Sequence, residues 1–178
     1  MLKIQLKNGE TAVIRKAVID DAERLIQHIN TIAEESDFVT FGPGEFEITV
    51  EKEKEILETY SKADNKLFLV AEVNEEIIGC MTFGGGGRSR TKHVGEFGVS
   101  TQQKYWGQGV GSRLLESLID WAKDTGIVRK INLRVRSDNE RGIKLYAKMG
   151  FKKEGLITRD MYTHGNFHDS IQMGLQID

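Results

Sequence analysis

The segment that most limits how this chain can fold lies at residues 99–114, VSTQQKYWGQGVGSRL. A β-rich run ends there, a short turn follows, and Gly107, Gly109 and Gly111 open a helix predicted over 109–125. Val110, Leu114, Leu115, Leu118, Trp121 and Ala122 recur on one face of that helix, so it must lie against an apolar surface. Glycines let a backbone come close to a ligand, and the first N–H groups of a helix point outward along its positive dipole end. Such a start can hold a diphosphate with main chain alone.

Three phosphate-binding readings compete with a fourth, a glycine-rich turn that binds nothing. A P-loop requires a Lys after its last glycine, and Val110, Gly111, Ser112 and Arg113 offer none at that place. A Rossmann fingerprint requires Gly-x-Gly-x-x-Gly, with an acidic residue at the end of the following strand. Here the third glycine arrives one residue early, and the strand predicted over 130–135 carries no acid. The third reading is the pyrophosphate loop of a coenzyme A site.

The rest of the chain reads as alternating elements without repeat, low-complexity tract or interdomain linker. A strand is expected over 11–16 and a helix over 21–35, with Asp20 as its cap and Glu23 as capping-box partner. Pro43, the one proline, stands between Gly42 and Gly44 in a loop, and a charged helix follows over 49–61. Residues 66–73 and 76–82 form a hairpin about Asn74 and Glu75, and glycines 84–87 with Arg88, Ser89 and Arg90 form a loop. Further strands are expected over 93–100, 130–135, 151–161 and 167–175, and a short helix over 140–148 that stops at Gly150. About seven strands and four helices in this order make an α/β (α+β) fold, a mixed sheet with helices on its faces.

The 178 residues suit one domain, 1–178, able to bury roughly two-thirds of its unfolded surface. With 25 Lys and Arg against 27 Asp and Glu, the charge is −2, which disfavours nucleic acid or an anionic membrane as partner. Cys80 is the one cysteine, so no internal disulfide forms. The first ten residues lack the apolar core of a signal peptide, and no stretch approaches the roughly 20 apolar residues of a membrane span; a cytoplasmic setting is expected. His93, His164 and His168 are separated and show no metal spacing, so no metal site is expected. His28 reads as an ordinary helix residue.

Gln108, Gly109, Val110 and Gly111 before a helix resemble motif A of the GNAT N-acetyltransferases. The run NERGIKLYAKMGF at 139–151 resembles their motif B, and the similarity extends from about residue 11 to the C-terminus. Either motif alone is moderately specific; the pair at this spacing is specific. The tail, with Glu154, Gly165, Asp169 and Met173, resembles the branch containing ribosomal-protein alanine and small-amine acetyltransferases. Two departures stand out: Trp106 where Arg or Gln is common, and Gly142 where Ala is commoner. Neither removes a backbone donor.

The resemblance implies a single-domain GNAT fold whose mixed sheet is mostly antiparallel, and acetyl-CoA as co-substrate. It implies that the turn from Gly107 through Gln108, Gly109, Val110, Gly111 and Ser112 holds the pyrophosphate. Phe97, Gly98 and Val99 would pair with the pantetheine arm as with an added strand, Asn139 would bond that arm, and Tyr146 would sit by the thioester sulfur. The acceptor would be a small-molecule or peptide amine, and because the family often dimerises a homodimer is also implied.

Acetyl transfer explains why such groups are wanted. A free alkylamine has a pKa of about 10, so a base or a water chain must take its proton, and an acid assists the departing thiolate. Glu96 is the candidate base; its alternative is an outward strand residue paired with Arg or Lys. Tyr146 is the candidate acid; its alternative is helix core beside Ile143 and Ala147. Asn139 could instead simply cap its helix. Cys80 reads as core, Arg88 and Arg90 as solvated loop, and His164 and His168 as possible walls of the acceptor cleft. The acid-rich loop from Glu34 to Glu45 weakly suits a cationic acceptor such as a polyamine, an aminoglycoside or a peptide N-terminus. A sensor that binds acyl-CoA without turnover is the competing function; it would need neither Tyr146 nor a strand carboxylate.

Overall fold

The computed structural model describes residues 1–178. Eight strands form one sheet in the order β1-β2-β3-β4-β5-β6-β8-β7. They are β1 (Leu2–Gln5), β2 (Thr11–Lys16), β3 (Lys66–Val73), β4 (Glu76–Gly85), β5 (Val94–Thr101), β6 (Lys130–Arg136), β7 (Lys152–Thr163) and β8 (Asn166–Gln176). Every neighbouring pair is antiparallel except β5 and β6. The helices are α1 (Ala22–Glu35), α2 (Val50–Lys62), α3 (Val110–Thr125) and α4 (Glu140–Lys148). No helix is long and apolar enough to cross a membrane.

Two apolar layers follow from the alternation of side chains across the strands. On one face α3 buries Val110, Leu114, Leu115, Leu118 and Ala122 against Phe97, Ile131, Leu133 and Val135, with Ile143, Leu145 and Tyr146 of α4 packed at the margin. On the other face α1 and α2 cover Phe68, Val70, Ile77 and Cys80 with Ala22, Leu25 and Leu57. The sheet therefore separates the glycine-opened helix from α1 and α2.

Several local expectations are corrected. An eighth strand, β1, pairs with β2 at the sheet's outer edge; the apolar–polar alternation of Leu2 to Lys7 is a strand signal that the expected seven strands left out. Asp20 does not cap α1; a single 3-10 turn at Ile19–Asp21 precedes the helix, and the Asp21 carboxylate accepts from the Val18 N–H at 2.8 Å. Asp21 is wholly buried and binds Arg15 through both oxygens, at 2.7 and 2.8 Å, and also pairs with Arg24. Burial alone would raise its pKa, but the bonds from Arg15 and the Val18 N–H hold it below the ordinary carboxylate value. Gly84 and Gly85 belong to β4, not to a loop. A Cβ on the facing Gly95 would collide with the Gly84 carbonyl, so glycine is what lets β4 and β5 run together here.

His28 on α1 is 2% exposed, and its Nε2 lies 2.9 Å from the Ser100 hydroxyl on β5. Burial pushes its pKa from 6.5 down to about 4, against the opposing influence of the Ile77 carbonyl and the Glu76 charge. The native protein therefore keeps this ring neutral in a range where the unfolded chain has already taken up a proton. Stability contributed by His28 is complete above about pH 6.5 and falls away as the pH drops toward 4. Between pH 7 and pH 5 the loss is about 2 kcal/mol for a shift of that size. Urea titrations at both pH values check this: wild type should lose that stability, and His28→Asn should lose much less of it.

Candidate active site

β5 and β6 leave the sheet's ladder early. Their parallel pairing runs only through Val94 with Lys130, Gly95 with Ile131 and Glu96 with Asn132. Beyond that, β5 continues along β4 as far as Thr101, while β6 continues along β8 as far as Arg136. The two strands thus form a fork whose apex is Glu96 and Asn132 and whose mouth opens toward the ends that feed α3 and α4. Along the inner edge of the fork, the main chain of Phe97, Gly98 and Val99 has no strand partner. An extended ligand can take that edge as an added strand would.

α3 begins at the mouth of the fork. Its first residue follows Gly109, held at φ +95°, a left-handed conformation that an L side chain resists. Gly107, at φ +75°, makes the turn before it. No side chain caps α3 or α1, whereas Thr49 caps α2 and Asn139 caps α4. The first N–H groups of α3 therefore have no side-chain acceptor, and the Val110 side chain is buried in the core. Gln108 is anchored by its side chain, which accepts from the Asn8 N–H at 3.1 Å. Trp106 donates from its indole to the Thr101 carbonyl at 2.7 Å and lies under Arg141, 5.2 Å from the ring centre. These contacts give Trp106 a place in the turn without occupying the helix start.

Tyr146 approaches the fork from the α3 side. Its ring meets Phe97 and Phe151 edge-on, with centroids 5.7 and 6.2 Å away. Burial raises its pKa to about 12, so the hydroxyl stays protonated through the neutral and mildly alkaline range. Glu96, one residue before Phe97, points to the opposite face. It is half-exposed and accepts from the Arg134 Nε at 3.2 Å, the kind of outward pairing its alternative reading describes. A proton donor and a carboxylate thus meet the same gap from opposite sides of the sheet.

The remaining candidates sort by position. The Asn139 side chain accepts from the Gly142 N–H at 2.9 Å, so it does cap α4. A Cβ on Gly142 would come within 3.0–3.1 Å of the Asn139 side chain, so a larger residue there would press on the cap. Arg88 and Arg90 lie in the turn before Val94, at the far end of β5 from α3. Cys80 is buried, and desolvation raises its pKa to about 11, which makes it a poor nucleophile. His164 sits 3.0 Å from Asp37 and His168 3.8 Å from Asp138, at the end where the loop after α1 meets the β7–β8 hairpin. No group of three His, Cys, Asp or Glu is placed to hold a metal.

Three side chains on the Glu96 face of β6 were not singled out from the sequence: Asn132 and Arg134, beside Glu96, and Arg136 farther along the strand. Ile131, Leu133 and Val135 are buried beneath α3, so these three project on the acid-bearing face of β6. Polar residues at every second position of a central strand are the signal that could have found them, because a strand covered on both faces reads as near-continuously apolar.

Residues 26–151 match the model of the acetyltransferase (GNAT) family. The chain belongs to the GNAT acetyltransferases. Among curated proteins it is 31% identical over 105 residues to the L-amino acid N-acetyltransferase AaaT of Escherichia coli (strain K12). That match covers 59% of this chain and 65% of AaaT, so the chain spans just under two-thirds of this relative's length. A GNAT-family acetyltransferase from Streptococcus pneumoniae shares the structure with a TM-score of 0.91 and 33% identity, over 94% of this chain and 99% of that one. YncA of Salmonella typhimurium, a putative acetyltransferase described with acetyl-CoA, shares the fold at TM-score 0.82 and 22% identity, over 94% of each chain.

Proposed function

We propose that this GNAT domain moves the acetyl group of acetyl-CoA directly to a primary amine while both are bound. The observation that carries the reading is the fork: a free strand edge with an uncapped helix at its mouth, reached by Tyr146 from one face and Glu96 from the other. The turn at Gly109 and the start of α3 through Ser112 would take the pyrophosphate by main-chain donors, the Gln108 N–H being already bonded to the Tyr105 carbonyl at 3.3 Å, and Phe97 to Val99 would take the pantetheine arm. Asn139 retains its side-chain NH2 for that arm while its oxygen caps α4. The acetyl end is then directed toward the apex.

In the reaction, the amine nitrogen forms a bond to the acetyl carbon as the carbon–sulfur bond breaks with its electron pair on sulfur. Tyr146 gives its proton to that sulfur and later regains one from solvent. The ammonium first loses a proton to solvent through Glu96, and the proton released from nitrogen as the amide forms leaves by the same route, directly or through one water. Separating the two groups by the sheet keeps the acid on the thioester side and the base on the acceptor side. Attack without a covalent enzyme intermediate agrees with the buried, protonated Cys80.

Free-thiol release from acetyl-CoA, measured with and without a panel of primary amines, tests this reading against a sensor that binds acyl-CoA without turnover. Amine-dependent release is expected. Tight binding of acetyl-CoA with no release for any amine would favour the sensor.

A further inference from the structure

We propose that the acceptor is an amine carrying its own carboxylate on the adjacent carbon, a free α-amino acid, and that Arg134 selects it by binding that carboxylate. The inference rests on the reading of the fork as the acetyl-transfer site.

The two arginines of β6 are in different states. Arg136 is fully engaged: Nε and Nη2 bond Asp138 at 2.7 and 3.0 Å, and Nη1 donates to the Asp37 carbonyl and the Thr163 hydroxyl. Its guanidinium also stacks on Phe38, 4.5 Å from the ring centre, and its side chain is only 8% exposed. That arginine pins the loop after α1 to the β7–β8 hairpin. Arg134 makes two long contacts, to Glu96 at 3.2 Å and Asp160 at 3.5 Å, and its side chain is 49% exposed. Its Nη2 has no partner. Half-exposed pairs of that length hold a side chain loosely, and both N–H groups of Nη2 are left free for another acceptor. A guanidinium edge matches a carboxylate, which takes two parallel N–H bonds from it.

A second observation comes from Asn132, across the fork's apex from Glu96. Its side-chain oxygen is buried and accepts no hydrogen bond. A buried carbonyl without a donor calls for one, and a rotation of the Asn132 amide that uncovers its oxygen would let an entering ammonium, with three donors, supply it. Glu96 thus offers an acceptor for an amine beside the free Nη2 of Arg134, a donor for a carboxylate, with the unpaired Asn132 oxygen beneath them.

The acid-rich loop argues less for a polycation than its composition suggests, because three of its acids already accept hydrogen bonds within the protein and only Glu34 has no partner. Glu35 accepts from the Gln103 N–H, Asp37 from His164, and Glu45 from the Gly42 N–H. A second positive charge near the apex would meet Arg134.

The test is amine-dependent thiol release with matched pairs: phenylalanine and phenethylamine, tyrosine and tyramine, histidine and histamine, arginine and agmatine, with spermidine alongside. In wild type, at least one amino acid should exceed its decarboxylated partner in kcat/KM by about 10–100-fold, the range for losing a charge-assisted pair. Arg134→Gln should collapse that ratio through a higher amino-acid KM, and Arg134→Lys should restore part of it. Amines or spermidine used as well as, or better than, every amino acid would overturn the inference while leaving amine acetylation intact. A ratio unchanged in Arg134→Gln would overturn it too, reducing Arg134 to a structural partner of Glu96. Thiol release with no acceptor of either kind would overturn the transfer reading itself, and this inference with it.

Discussion

Gly111→Glu should abolish acetyl-CoA binding in a protein that still folds. The position is the second residue of α3, at the mouth of the β5–β6 fork, and the nearest atom to an added Cβ is Leu145 Cδ2 at 3.8 Å. The backbone therefore tolerates a side chain, and what changes is the space and charge in front of the helix. A carboxylate there takes the N–H donors and the positive dipole end that would otherwise meet the pyrophosphate. Losing two or more charge-assisted bonds costs about 10²–10⁴-fold in affinity. Gly109→Glu should do the same and also destabilise the fold, because φ +95° is a strained conformation for glutamate. Isothermal titration with acetyl-CoA, paired with a ligand-free melt, separates the two effects. Unchanged affinity in a folded Gly111→Glu would move the pyrophosphate site elsewhere.

The second large effect is expected in turnover. Tyr146→Phe keeps the ring against Phe97 and Phe151 and removes only the hydroxyl, which makes no hydrogen bond within the protein; Glu96→Gln keeps the shape and removes the base. General acid–base steps are worth about 10²–10⁴-fold, so each variant should lose turnover in that range with acetyl-CoA affinity nearly intact. Their pH dependence should differ. With burial holding Tyr146 near pKa 12, its hydroxyl is present at every working pH, and Tyr146→Phe should be impaired uniformly. The defect of Glu96→Gln should shrink as the pH rises toward the amine's pKa, about 10, where the acceptor is already neutral. Turnover against pH for wild type and both variants, with one accepted amine, checks this. Full activity in Tyr146→Phe would make the hydroxyl structural; full activity in Glu96→Gln would send the proton out through water or another group.

Where the sequence pattern was local and periodic, it located elements closely. β3 and α4 begin and end at the expected residues, and Asn74 and Glu75 form the expected turn with both φ positive. The apolar stripe of α3 is buried as read, except that Trp121 remains half-covered while meeting Phe83 edge-on. What failed was decided by contacts distant in sequence. Gly84 and Gly85 look like loop residues until β5 comes beside them, and Asp21, though its arginine partners Arg15 and Arg24 are near in sequence, shares them with Glu72 from the neighbouring strand β3. The residues of motifs A and B were legible one by one. Their arrangement about the fork, with Glu96 and Tyr146 on opposite faces, was not, because it depends on where β5 and β6 stop pairing. Arg134 reaches Glu96 across 38 residues of chain, a pairing that no local pattern encodes.

The measurement that tests the central claim most directly is the melting temperature of the wild-type protein with acetyl-CoA, NADH and ATP at equal concentrations. A ligand that binds only the native state stabilises it by mass action, about 2.7 kcal/mol at a hundred times Kd. For a domain of this size that is a rise of about 5–10 °C. The fork and the uncapped start of α3 predict such a rise with acetyl-CoA and a much smaller one with NADH or ATP. Equal shifts with all three, or none with acetyl-CoA, would contradict the assignment of this site to coenzyme A.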